Sequence, residues 1–239
     1  MTAADGPSIP QVSIIALFVT ALVTAQLTAS KVLAFDLPVS LPVTGAELVL
    51  PGAALAYALT FLASDCYTEL YGRRAAHVVV NVAFAMNVVV LVLVWSTIAA
   101  PTAETSPVGG GEFESVLGPA ANIVLGSLLA YLVSQNWDVF IFHRIRDRTG
   151  PGLLWVRNLA STATSQAIDT VIFVGIAFAI APEVLGIGET LPLEAVLALM
   201  VGQYLLKLAI AVLDTPVVYL VVWLVRDREG ASGPVAAKS

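Results

Sequence analysis

The chain has 239 residues, of which 58% are hydrophobic and only 12% charged, with a formal net charge of −6 at pH 7. Soluble domains carry about twice that charged share, and a mean hydropathy of +0.90 leaves more apolar side chain than one compact core can hide. A soluble globule is excluded, and most of the surface is expected to face lipid.

A spanning helix needs roughly 20 mostly apolar residues, so a chain of this length holds about six spans and no second soluble domain. Apolar runs place them near 9–33, 48–67, 75–99, 120–142, 156–181 and 193–225, separated by breaks rich in Pro, Gly or charge. The expected fold class is an all-α integral membrane protein, a single domain over 1–239 formed by a bundle of six transmembrane helices in the cell membrane. The amino-terminal MTAADGPSIP carries Asp5 but no Lys or Arg. It lacks the positive region of a cleavable signal peptide, and the first run reads as a retained helix. Cys66, the single cysteine, falls inside the second span and reads as a packing residue.

Of the eleven Lys and Arg, nine are Arg73, Arg74, Arg144, Arg146, Arg148, Arg157, Arg226, Arg228 and Lys238, in or beside the second and fourth connections and the tail. An even number of spans puts these nine and both termini on one face, which the positive-inside rule makes cytoplasmic. The opposite connections hold Asp36, Glu47, Glu104, Glu112, Glu114, Glu183, Glu189 and Glu194. That acidic face reads either as an attractor for cationic solutes or as a solvated surface suited to high salt.

Five acids remain within or at the ends of spans: Asp65, Glu69, Asp138, Asp169 and Asp214. Ionisable side chains at such depth face a cavity or a partner, so each is a functional candidate. In the fifth span Asn158, Ser161, Thr162, Ser165, Gln166 and Asp169 recur at helical spacing, and in the sixth Gln203, Lys207 and Asp214 share a face. The fourth adds Ser127, Tyr131, Ser134, Gln135 and Asp138 beside a small-residue ridge of Gly126, Ala130 and Ser134; the first adds Thr20, Thr24, Gln26, Thr28 and Ser30. Four such stripes describe an internal polar cavity. Plainer readings stand beside this one. Buried Ser and Thr often bond only their own backbone, Glu69 and Arg73 have the spacing of a helix-end ion pair, and Asp138 lies close to the Arg cluster. Lys207, near mid-membrane, needs Asp169 or Asp214 as a partner, in a binding site or in a structural bridge. His77 and His143 fall at the cytoplasmic edge and receive no role.

No His-Glu-x-x-His, Gly-x-Ser-x-Gly or Gly-x-x-x-x-Gly-Lys motif occurs. Gly109, Gly110 and Gly111 read as a flexible linker. Transport is favoured over an enzyme, with no cofactor and no nucleic-acid partner expected.

Four stretches resemble the queuosine precursor transporters, a family earlier described as vitamin uptake transporters. SDCYTELYGRRAA (64–76) is similar to the family's Asp-x-x-x-Glu-x-Tyr-Gly signature followed by basic residues. SQNWDVFIF (134–142) resembles its Gln-x-x-Asp stretch, WVRNLASTATSQAIDTVIF (155–173) its Arg-Asn, Ser-Thr, Ser-Gln and Asp-Thr series, and KLAIAVLDTPVVY (207–219) its Lys and Pro-x-x-Tyr pattern. The first connection, LPVSLPVTGAELVLPG, departs from the family's Gly and Pro hairpin. The resemblance implies a six-helix importer of 7-cyano-7-deazaguanine and 7-aminomethyl-7-deazaguanine, precursors of modified tRNA bases, working without an obligatory ATPase. A guanine-like edge offers N–H donors that a carboxylate accepts and a carbonyl to which Lys or an amide donates. The expected substrate-binding set is Asp65, Glu69, Gln135, Asp138, Gln166, Asp169, Gln203 and Lys207, with Tyr57, Tyr131, Trp137 or Phe173 as candidate stacking platforms. Lipid is the expected surroundings, and a homo-oligomer stays open. The rivals are a vitamin-binding membrane subunit of an ATP-driven system, and a membrane enzyme or structural bundle with Lys207 bridged in a filled core.

Overall fold

The structure is a computed structural model that describes residues 6–41, 43–149 and 154–231, without the side chains of 41, 149, 154–158 and 228–231. Met1 to Asp5, the fourth connection at 150–153, the side chains of Arg157, Asn158 and Arg228, and Lys238 therefore lie outside the described residues. Its elements are α1 (Ile9–Thr28), β1 (Val32–Leu41), β2 (Gly45–Pro51), α2 (Ala54–Tyr71), α3 (Arg73–Ala99), α4 (Gly110–Leu117), α5 (Ala120–Thr149), α6 (Leu154–Gly175), a π-helical turn (Ile176–Ile180), α7 (Ala181–Leu185) and α8 (Leu193–Ala231). The protein is mostly helical, and five helical stretches are long and apolar enough to cross a membrane. Shorter and more polar, α2 is not among them; its 18 residues rise about 27 Å, close to the thickness of a hydrocarbon core.

The all-α expectation needs one correction, because β1 and β2 form an antiparallel hairpin pairing Val32 with Pro51, Leu33 with Leu50, Ala34 with Val49, Phe35 with Leu48 and Asp36 with Glu47. The apolar Leu48 to Pro51, expected to begin the second span, extend this ladder instead, so α2 starts only at Ala54. Its pairing is irregular between Asp36 and Leu41, a stretch containing Pro38, which has no N–H to donate. The turn uses positive φ at Val43 (74°) and Gly45 (65°). For the same reason α1 stops at Thr28 rather than near position 33: Val32 already belongs to β1.

Other boundaries shift with local chemistry. The Arg-rich segment after position 142 continues α5 to Thr149, and Arg146 and Arg148 in its last turn complement the helix dipole. Gly110 and Gly111 open α4, where Glu112 Oε2 accepts the Gly109 N–H at 3.4 Å, so this run is no simple linker. Pro216 lies inside α8.

Two hydrophobic clusters hold the bundle together. One gathers Ala29 and Ala53 beside the hairpin with Ile123, Ala130, Phe173, Val174, Ala177, Phe178, Val196 and Leu199. The other joins Ile14, Phe18 and Leu22 of α1 to Ala63, Cys66 and Tyr67 of α2, Ala76 and Ala83 of α3, and Val218 and Val222 of α8. Glycine permits two close approaches. A Cβ at position 126 would lie 3.0 Å from both the Ala177 Cβ and the Phe173 carbonyl, and one at position 202 only 1.9 Å from the Val49 carbonyl oxygen. The first lets α5 and α6 nest, and the second seats β2 directly on α8.

Candidate functional site

Between the two clusters lies a cavity of about 400 Å³. Helix α2 supplies one wall with Tyr57, Thr60, Phe61, Ser64, Asp65 and Thr68. These positions recur at three- and four-residue steps, so they share one helical face. Opposite them stand Ser127, Tyr131, Ser134 and Gln135 of α5, Gln166, Asp169 and Phe173 of α6, and Gln203 of α8. Helix α1 adds Gln26, and α3 adds His77 and Phe84. Toward the hairpin the lining is buried at Ala29, Pro51, Ala53 and Ile123, whereas Asp65, His77 and Gln135 are exposed. In this conformation the cavity is capped at the hairpin end and gives way toward the end where α2 meets α3.

The central polar feature is an ion pair between Lys207 Nζ and Asp169 Oδ2, the Lys207 side chain being 2% exposed and that of Asp169 19%. Asp169 Oδ1 accepts from Ser134 Oγ at 3.2 Å, and the Lys207 ammonium sits 5.5 Å from the centre of the Tyr57 ring, a cation–π arrangement. A buried lysine keeps its charge only with such company. Of the two partners open from sequence, the structure chooses Asp169. Also in the lining, Phe84 and Tyr131 stack on each other with ring centres 4.5 Å apart and planes 17° from parallel. Tyr131 Oη donates to Asn81 Oδ1 at 2.8 Å, tying α5 to α3.

Of the eight expected binding residues, Asp65, Gln135, Gln166, Asp169 and Gln203 line the cavity, and Lys207 stands behind Asp169. Glu69 and Asp138 do not line it. No ion pair joins Glu69 to Arg73 among the described residues; the Glu69 carbonyl accepts from Arg226 Nη2 at 3.3 Å. Asp138 accepts from Ser165 Oγ at 3.3 Å, across the α5–α6 seam. The fifth-span stripe is thus divided, with Ser161 and Ser165 buried and Gln166 and Asp169 on the cavity. Thr24 and Thr28 of α1 bond the carbonyls of Thr20 and Thr24, the plain backbone role. Of the proposed aromatic platforms, Tyr57, Tyr131 and Phe173 line the cavity, while Trp137 donates to Thr164 Oγ1 outside it. The sequence reading missed His77 and the Thr60, Ser64, Thr68 edge of α2. The helical spacing of that edge with Asp65 was the available signal.

Apolar membrane-length helices enclosing a polar, partly open cavity, with a buried lysine–carboxylate pair in its wall, are the build of a multi-pass membrane transporter. A family model described as "Putative vitamin uptake transporter" matches residues 51–221. The chain is also 33% identical over 178 residues, 74% of its length and 73% of the relative's, to a Bacillus subtilis (strain 168) protein named "Probable queuosine precursor transporter". The chain belongs to this family of transporters, and it is a multi-pass protein of the cell membrane. No solved structure matches it significantly. Nothing in these matches supports an ATP-driven system.

Proposed function

We propose that this transporter imports 7-deazaguanines, 7-cyano-7-deazaguanine and its 7-aminomethyl relative, through the cavity between its two cores. The observation that carries the proposal is the relative named as a queuosine precursor transporter, at 33% identity across most of both chains. The cavity is chemically suited to a flat, hydrogen-bonding base. Its volume of about 400 Å³ falls in the range of about 300–1,000 Å³ for small-molecule sites. Tyr131 and Phe84 offer a π surface at one wall, and the polar groups of Asp65, Gln135, Gln166, Asp169 and Gln203 line the space around it.

With the Arg-bearing ends cytoplasmic, as the positive-inside rule requires, the conformation described is closed outside by the hairpin and open inward. The single bundle then alternates between this state and one in which the hairpin end opens. Uptake of labelled 7-cyano-7-deazaguanine by cells unable to synthesise it tests the proposal. The expected result is accumulation well above the empty-vector control, lost in Asp169→Asn; accumulation equal to the control refutes the substrate.

A further inference from the structure

From Thr60 to Thr68 the α2 wall of the cavity offers hydrogen-bond acceptors and no free donor. Thr60, Ser64 and Thr68 all line it, and each hydroxyl donates to its own helix: Thr60 Oγ1 to the Tyr57 carbonyl at 2.6 Å, Ser64 Oγ to that of Phe61 at 2.9 Å and Thr68 Oγ1 to that of Ser64 at 2.8 Å. With its single proton committed, a hydroxyl has only lone pairs left for a ligand. On the same stretch stands Asp65, an exposed residue of the lining whose ionised carboxylate can only accept. The charges of the cavity lean the same way. Among the described residues no Lys or Arg is in the lining, and Lys207, behind it, is already paired with Asp169. Asp65 has no ion-pair partner among the described residues, His77 of the lining included, and Asp214 of α8 adds a second negative charge within electrostatic reach of it.

We infer that Asp65, with the hydroxyl oxygens on its side of α2, receives the protonated amine of 7-aminomethyl-7-deazaguanine and is the specificity-determining residue that favours this base over its 7-cyano relative. The inference rests on the transport of 7-deazaguanines proposed above. An alkylammonium, the form a primary amine takes at neutral pH, is the complement of such a wall: three N–H donors and a positive charge, with no lone pair to place. A nitrile is its opposite, an acceptor without a proton, and gains nothing from a carboxylate. Bonds in which both partners are charged are about twice as strong as neutral ones, and more so where water is partly excluded. A hydroxymethyl arm of nearly the same size brings one donor and no charge to the same place.

The test is uptake by liposomes containing the full chain. Labelled 7-aminomethyl-7-deazaguanine and labelled 7-cyano-7-deazaguanine are the two reporters, and unlabelled 7-hydroxymethyl-7-deazaguanine is a competitor that keeps the size of the aminomethyl arm without its charge. Native protein is expected to take up the aminomethyl base with a KM about tenfold or more below that of the cyano base, and the hydroxymethyl competitor to be weaker than unlabelled aminomethyl base by a similar factor. Asp65→Asn, which removes the charge at constant size, raises the KM of the aminomethyl base far more than that of the cyano base, so that the ratio falls toward unity. A variant that assembles but does not transport is read by the thermal shift that each base gives in detergent, where the same loss of preference is expected. Native protein with no preference for the aminomethyl base, or a preference that survives in Asp65→Asn, overturns the inference alone. Native protein that takes up neither base overturns the substrate reading and the inference with it.

Discussion

Replacing Gly202 by alanine probes whether the hairpin is truly seated on α8. The added Cβ would lie 1.9 Å from the Val49 carbonyl oxygen and 3.0 Å from its carbon, whereas real contacts of this kind stay beyond 3.0 Å. Strand β2 or α8 must therefore retreat by at least about 1 Å. Neither gives way easily. Val49 is held in the ladder by Ala34, and its neighbour Leu50 is buried, as is Leu199, one turn before Gly202 on α8. Overpacking against a fixed backbone costs about 1–3 kcal/mol, which for a chain of this size lowers the melting temperature by roughly 2–12 °C. Gly175→Ala is the matched control, since its Cβ meets only Met200 Cε at an ordinary 3.7 Å, and alanine is the better helix former by up to about 1 kcal/mol. Thermal unfolding of both variants in detergent decides the matter. Equal melting temperatures for Gly202→Ala and Gly175→Ala would refute the close seating of the hairpin.

Breaking the buried pair by Lys207→Met or Asp169→Leu alone is expected to destabilise by about 3–5 kcal/mol, because one charge stays buried without its partner. The combined Lys207→Met, Asp169→Leu variant recovers most of that stability without recovering uptake, as a double-mutant cycle in detergent would reveal. Tyr131→Phe removes the donor to Asn81 and costs about 0.5–1.5 kcal/mol, and adding Asn81→Ala to it changes little further in the same denaturation assay. Gly126→Leu drives a branched side chain into the 3.0 Å contact with Ala177 and Phe173 and separates α5 from α6, read as loss of folded protein in size-exclusion profiles.

The sequence was most informative where polarity is expensive. Lipid leaves so little tolerance for ionisable groups that Asp169 and Lys207 announced themselves, and the three- and four-residue recurrence in α6 pointed Gln166 and Asp169 the same way. Depth and face are less legible. Glu69 is one turn from Asp65, yet a helix face is about a hundred degrees wide, and the rotation of α2 turns Asp65 to the cavity and leaves Glu69 out of its lining. Asp138 illustrates the same limit on α5, with Ser165 of α6 as its partner. Leu48 to Pro51 misled for another reason: a short apolar run has no distinguishing period, and only pairing with residues 32–35 makes it a strand. His77 reaches the cavity because α3 leans against α2, a tertiary fact with no local signature, whereas Gln26 already stood among the polar residues of the first span.

The two hydrophobic clusters on either side of the cavity bear on how the protein unfolds. Helices α1 and α8 run through both clusters, but between the clusters the side chains part around the cavity, so each packs largely against its own neighbours. In the empty protein, amide exchange should then divide into two populations with different opening free energies, one centred on Leu199 and Val174 and the other on Ala63 and Cys66. A bound base touches the walls that both units supply, and by mass action it stabilises only the arrangement in which both are intact. Substrate thus serves as the missing middle of the core, and saturating it should merge the two exchange populations into one.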